Sequence, residues 1–210
     1  MTVQTAQPDP MSAFSGGTIL SVPGFRGAAL ATGVKPSGSL DLAVIDCGRP
    51  MVAQGMFTRN RLAAAPVRLG RAQLQRSGLV RAVAINAGNA NAMTGSQGED
   101  HARAMLGELE ARVGEPGFIM STGVIGVPLP VERITRGIAE ASERLSSHGG
   151  EALAQAILTT DSRIKTGARS FSVETEAGQQ TCTVGGVAKG SGMIHPNMAT
   201  MLAIIATDAP

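Results

Sequence analysis

The 210-residue chain has no tryptophan, no tyrosine and only five phenylalanines. Its interior must therefore be filled by Val, Ile, Leu, Met and Ala. A nucleic-acid reader stacks bases on aromatic rings and presents a basic stripe. A net charge of +2 and the lack of any long basic block argue against that class. No apolar run reaches the roughly 18 residues of a membrane helix. Cysteine is equally scarce. Cys47 and Cys182 stand far apart, with no C-x-x-C pair and no Cys/His ligand spacing, which argues against structural zinc and fits buried thiols in a reducing cytosol. Charged residues are 16% and hydrophobic residues 43%, the reverse of a disordered chain. The N-terminal MTVQTAQPDPMSAFSGG lacks the charged start and apolar core of a secretory signal, and residues 1–20 read as a flexible tail.

Glycine is abundant instead: 27 residues, about 13% against a usual 7%, with no period. Many tight turns and close backbone contacts are expected. LDLAVIDC (Leu40–Cys47) and MVAQGMFT (Met51–Thr58) read as a hairpin turned by Gly48-Arg49-Pro50. A helix is predicted over Pro66–Ser77, stopped by Gly78. LVRAVAINAG (Leu79–Gly88) reads as a buried strand. Ala102, Met105, Leu109 and Val113 recur at spacings of three and four, which predicts a helix over Glu99–Val113. Gly117–Gly126 is expected to be a strand entering a loop. Val131, Ile134, Ile138, Ala141 and Leu145 predict a helix over Pro130–Ser147, with Pro130 near its start. A short helix follows over Glu151–Leu158. Phe171–Thr183 reads as a hairpin around Ala177-Gly178, and Met201–Ala206 as a last apolar strand. The order implies a mixed α/β (α+β) fold, layered mixed sheets flanked by helices.

Four polar loops are candidates for chemistry: GNANAMTG (Gly88–Gly95), STGVIG (Ser121–Gly126), ILTTD (Ile157–Asp161) and KGSGMIHPNMAT (Lys189–Thr200). Each also reads as an ordinary turn in a glycine-rich chain. There is no G-x-S-x-G elbow and no phosphate loop. Ser162–Lys165 fits S-x-x-K and Lys165–Gly167 fits K-T-G, but the two share one lysine, so the match is chance. His101, His148 and His195 are scattered and form no Ser-His-Asp order.

The last loop differs in kind. Thr200 follows a small residue and precedes an apolar strand. In mid-chain a threonine lacks a base. Scission of the Ala199–Thr200 bond would supply one, because the new α-amine, with an ordinary pKa of roughly 7.7–8.0, takes the hydroxyl proton. A plain loop-to-strand junction is the competing reading of the same residues.

KGSGMIHPNMATML resembles the self-cleavage segment of the ornithine acetyltransferase (ArgJ) family. GFRGAALATGVKPSGSLDLAVI, MFTRN, NAGNANAMTG, STGVIG and TTDSRIK resemble that family's segments, in its order, from Pro23 to Asp208. The resemblance implies an ArgJ/DmpA-like self-processing fold. It implies Thr200 as nucleophile after cleavage between Ala199 and Thr200, and Thr122 and Gly123 as the oxyanion hole. Thr159, Lys189 and Thr200 would contact substrate. The implied reaction moves an acetyl group from N-acetylornithine to Thr200 and then to glutamate, in arginine biosynthesis. It needs no cofactor and no metal, with acetyl-CoA as a possible second donor.

The implied organisation is a domain over 21–199 and the start of a β chain over 200–210. The family precursor is about twice as long, so a β-chain partner in an α2β2 assembly is expected, and activity is expected to need that β half; the setting is the cytoplasm, with no nucleic acid and no membrane. His195 is expected to be structural, and the asparagines of GNANAMTG to build their own loop. A non-catalytic scaffold fragment and a related self-processing amidohydrolase or aminopeptidase are the two alternatives.

Overall fold

The computed structural model describes residues 17–176, 178–192 and 201–210. It has two sheets. Sheet A runs β1 (Arg26–Leu30), β2 (Leu42–Val52), β3 (Leu79–Asn89), β4 (Gly117–Val124), in that order. Its first three strands are antiparallel, and β4 is parallel to β3. Sheet B is the antiparallel set β5 (Lys165–Thr175), β6 (Gly178–Lys189), β7 (Leu202–Thr207). The helices are α1 (Ala65–Ser77), α2 (Gly95–Val113), α3 (Val131–Glu143) and α4 (Gly150–Ala156). This is the mixed α/β class expected from the sequence.

Sheet A is buried on both faces, which is why β3 reads as an almost unbroken apolar run. Successive side chains alternate across the sheet. Leu42, Val44, Ala82 and Ala84 face a core shared with α2 and α3. There Ala102, Met105, Leu109 and Val113 of α2 meet Ile134, Ile138 and Ala141 of α3, all buried as their spacing predicts. Ala43, Ile45, Val83 and Ile85 face a second core with α4 and with Val187 of sheet B. Gly78 closes α1 in the left-handed region at φ 62°, where glycine has no Cβ penalty.

Three expectations need correction. The hairpin over 40–58 is a single bulged strand. Asp46 pairs with Ala82 and Met51 with Val80, so β2 carries surplus residues between them. The buried Asp46 carboxylate takes the Arg26 guanidinium at 2.5 Å and the Gly48 N–H at 2.8 Å, and these bonds hold the bulge where a turn was expected. The tail expected through residue 20 ends earlier. Ile19–Ser21 form a 3-10 turn capped by Thr18, and Ile19 and Leu20 are core residues. The helix expected over 130–147 stops at Glu143, although Leu145 still packs on the core shared with α2 and α3.

The β5–β6 hairpin is longer than predicted, because its pairing runs from Lys165↔Ala188 to Thr175↔Gly178. Its outer face is low where Gly167 pairs with Gly186. A shallow concavity of about 530 Å³ lies over it, with Gly167, Gly186, Ala203 and Ile205 in its lining, and Ile205 is 78% exposed.

Candidate functional site

Three of the predicted site residues meet in the space between the two sheets. Thr122 stands near the C-terminal end of β4, paired with Ala87. Lys189 is the last residue of β6, and Thr159 lies in the loop after α4. The Lys189 ammonium donates to Thr122 Oγ1 at 3.0 Å and to Thr159 Oγ1 at 2.7 Å. Lys189 is 1% exposed and Thr122 3%. Burial pulls the Lys189 pKa down, the nearby Asp161 carboxylate offsets part of that, and Lys165 adds to the fall.

Gly123 follows Thr122 directly and takes φ +135°. It lies opposite Gly88, itself at φ +112°. A Cβ on Gly123 would fall 2.3 Å from the Gly88 carbonyl carbon and 2.5 Å from the Asn89 nitrogen. Backbone meets backbone here, so only glycine fits.

The segment holding Ala199 and Thr200 begins and ends at this cluster. Gly190 follows Lys189, and Leu202 pairs with Lys189 across β6 and β7. A Cβ on Gly190 would sit 3.1 Å from Met201 Cγ and 3.7 Å from its Cα, so the two ends of the segment touch. Ala199, Thr200 and His195 themselves lie outside the described residues.

Several residues of the cluster escaped sequence reasoning. Asp161 accepts Lys165 Nζ at 2.6 Å and the Gly190 N–H at 2.7 Å on Oδ1. Burial alone would raise its pKa; the bonds from Lys165 and from the Gly190 and Thr159 N–H groups outweigh that and hold it below the usual carboxylate range. Lys35 enters from the loop before β2. Its ammonium donates to the Leu40 and Ala156 carbonyls, and its pKa is lowered by burial, raised by Asp41 and lowered again by Lys189. Asp41, fully buried, anchors that loop by accepting from Thr32, Val34 and Lys35. One signal was available: the chain has three lysines against fifteen arginines, and all three belong to this cluster.

The asparagine loop builds itself, as expected. Asn86 Nδ2 donates to the Asn89 carbonyl, Asn89 Nδ2 to the Val127 carbonyl, and Asn91 Nδ2 to the Gly98 carbonyl. Asn86 pairs with Ser121, so it lies on the sheet face opposite Thr122. His148 is exposed, as a solvated loop residue should be.

A cysteine nucleophile does not fit. Both thiols are free, but burial and then Asp46 push Cys47 up to about 12, and Cys182 is buried in β6. Among the described residues no group of three His, Cys, Asp or Glu is placed to hold a metal ion. The arrangement offers a buried ammonium that feeds two hydroxyls, beside a glycine backbone. That is suited to stabilising a developing oxyanion.

The sequence model of the ArgJ family matches residues 26–210. The arginine biosynthesis bifunctional protein ArgJ of Thermosynechococcus vestitus is 44% identical over 196 residues, covering 92% of this chain and 46% of the relative. The chain spans about half the length of the curated relatives it matches. The crystal structure of the Bacillus halodurans ArgJ protein superposes with a TM-score of 0.76 at 36% identity, covering 89% of this chain and 95% of that one. An ornithine acetyltransferase from Mycobacterium tuberculosis, solved in complex with ornithine, gives 0.74 at 34% identity, covering 90% and 96%.

Proposed function

The chain belongs to the ArgJ family, and on that premise we propose that it is the acetyl-transferring part of an ornithine acetyltransferase, with Thr200 as the nucleophile. One observation supports this above the rest: Lys189 binds Thr122 and Thr159 where the segment bearing Ala199 and Thr200 leaves and rejoins sheet B.

The chemistry has two stages. In the first, Thr200 Oγ attacks the Ala199 carbonyl carbon, the peptide C–N bond breaks, and an ester links Ala199 to the threonine oxygen. Water hydrolyses that ester, leaving an Ala199 carboxylate and a Thr200 with a free α-amine. In the second, the amine takes the Thr200 hydroxyl proton as the oxygen attacks the acetyl carbonyl of N-acetylornithine. The proton passes to the departing ornithine nitrogen. The glutamate amine then attacks the acetyl-threonine ester, giving N-acetylglutamate and restoring the hydroxyl. Acetyl-CoA serves as a second donor in this reading, and no cofactor is needed.

Each transfer passes through an oxyanion. Thr122 Oγ1 already accepts a hydrogen bond from Lys189, so its own O–H is left to donate elsewhere. Together with the Gly123 N–H it would bind the oxyanion. Thr159 is oriented by the same ammonium toward substrate, and Lys189 adds the positive charge that an amino-acid carboxylate requires.

In this reading residues 200–210 open a β chain, and the chain assembles with it as α2β2. The concave outer face of sheet B, with the exposed Ile205, is the surface that the rest of the β chain would cover. The cytoplasm suits the two free thiols. Among the described residues no helix is long and apolar enough to cross a membrane.

Intact mass and N-terminal sequencing test the first stage, with a new chain beginning at Thr200 expected. Labelled acetyl from N-acetylornithine should then appear in N-acetylglutamate. With the β half supplied, an uncut, inactive protein would point to a scaffold, and release of free acetate to a hydrolase; either result overturns the reading.

A substitution follows from the oxyanion role. Thr122→Val removes one donor and is expected to lower kcat about 100- to 1000-fold, the scale of about 2.7–4 kcal/mol, with little change in KM. Thr122→Ser keeps the hydroxyl and should stay within about tenfold of the parent. Steady-state kinetics of the two variants checks this.

A further inference from the structure

Two of the three ammonium groups of the cluster, those of Lys165 and Lys189, are organised around one carboxylate, that of Asp161. Its side chain is fully buried. Oδ1 takes Lys165 Nζ at 2.6 Å and the Gly190 N–H at 2.7 Å. Oδ2 receives the Thr159 N–H at 3.5 Å and stands 3.9 Å from Lys189 Nζ. We propose that Asp161 is a positioning residue for acetyl transfer: its single carboxylate keeps Lys189 charged and pins the backbone at Gly190, where the segment carrying Ala199 and Thr200 departs. What Lys189 does for substrate rests on the reading above; what holds its charge does not.

Among the described residues, the groups that face Lys189 leave few alternatives. Thr122 and Thr159 are neutral hydroxyls. Lys165, across Asp161, and Lys35, from the loop before β2, are cations that oppose a third positive charge. Asp41 acts on Lys35 from within its own loop. Burial also favours the neutral amine. Among the described residues, Asp161 is the group whose charge works the other way on Lys189. A neutral Lys189 would have one N–H fewer for the two threonines and no charge for a carboxylate.

The Gly190 bond adds a second role. Asp161 lies in the loop after α4, and Gly190 opens the segment whose far end touches it at Met201. The same side chain therefore sets a charge and a backbone position. A residue that merely filled space would set neither.

Two variants separate the roles. Asp161→Asn keeps the volume and an oxygen for the Gly190 N–H, but removes the charge. Asp161→Ala removes both. With only three lysines in the 210 residues, their Cε signals can be followed by carbon-13 NMR as pH is raised. Lys35→Arg and Lys165→Arg variants assign them. In Asp161→Asn, Lys189 is expected to titrate at least about one pH unit lower than in the parent, since an opposite charge at this range moves a pKa by roughly 1–3 units. The Gly190 amide should stay protected from hydrogen exchange in Asp161→Asn and exchange at least about tenfold faster in Asp161→Ala. The alkaline limb of kcat/KM should move down with the Lys189 titration.

If Asp161→Asn fails to fold by circular dichroism, Lys165→Gln serves instead. It frees the carboxylate of one ammonium and should raise the Lys189 titration. An unmoved Lys189 in whichever of these variants folds overturns the inference. If the parent protein moves no acetyl group, the functional reading falls, while the titration still decides the role of Asp161.

Discussion

Replacing Thr200 by valine is expected to leave the Ala199–Thr200 bond intact and to lower acetyl transfer on the order of 10⁶-fold, the scale seen when a nucleophile that acts as a unit with its base is removed. Valine keeps the branched shape and loses only the oxygen. It therefore tests chemistry more than packing. Nucleophile and base are proposed to lie on one residue, and the base exists only once the upstream bond has broken. A variant that cannot cut should thus lack both the attacking oxygen and the free amine. Thr200→Ser, which keeps an oxygen, is expected to cut and to turn over more slowly. Intact mass reads the first effect and transfer of labelled acetyl the second. Normal splitting and normal turnover in Thr200→Val would remove the basis of the proposed mechanism.

Gly123→Ala is expected to destabilise the fold by about 3–5 kcal/mol. Overpacking costs about 1–3 kcal/mol, and a strained φ adds about 1–3 kcal/mol. Three features place this substitution at the upper end. The new methyl would meet the Gly88 carbon at 2.3 Å, the Asn89 nitrogen at 2.5 Å and the Gly88 oxygen at 2.6 Å. All three are backbone atoms, which cannot rotate aside. Residue 123 also holds φ +135°. Finally, Gly88 has little room to retreat, since a Cβ there would already stand 3.0 Å from Val34 and 3.2 Å from Lys35. The strands would have to part at Gly88 and Gly123, and Thr122 would move with them. Against a total stability of about 5–15 kcal/mol, such a loss is large. Gly126→Ala is the control. It is in the following loop at φ +82° with open space around it, and should cost about 1–2 kcal/mol from backbone strain alone. Urea denaturation of both variants measures the difference. A Gly123→Ala protein within about 1 kcal/mol of the parent would mean that β3 and β4 do not need this close approach.

The helices were legible because their information is local. Ala102, Met105, Leu109 and Val113 lie on one stripe, and so do Ile134, Ile138 and Ala141; all are buried. A period near 3.6 is written within a few turns of chain, and the glycine after α1 marks its end at once. The bulge in β2 was not legible. Gly48-Arg49-Pro50 has the composition of a turn, and no neighbour in sequence says otherwise. What kept β2 extended is a buried Asp46 with Arg26 twenty residues before it, together with Val80 and Leu79 waiting as pairing partners for Met51 and Val52. The same reason hid Ile19 and Leu20. They look like the end of a tail until sheet B supplies the surface that buries them.

The sequence by itself determined the kinds of chemistry on offer: a core of aliphatic side chains, isolated thiols, a threonine at a small-residue junction and few lysines. It also determined the amphipathic helices, since their apolar positions recur within one or two turns. The tertiary structure alone decided which polar groups meet. Lys189 reaches Thr122 across 67 residues and Thr159 across 30, and Gly190 reaches Asp161 across 29. Those meetings depend on sheet A and sheet B closing over a common core. Burial and strand register are properties of the whole packed chain, and no short window of residues contains them.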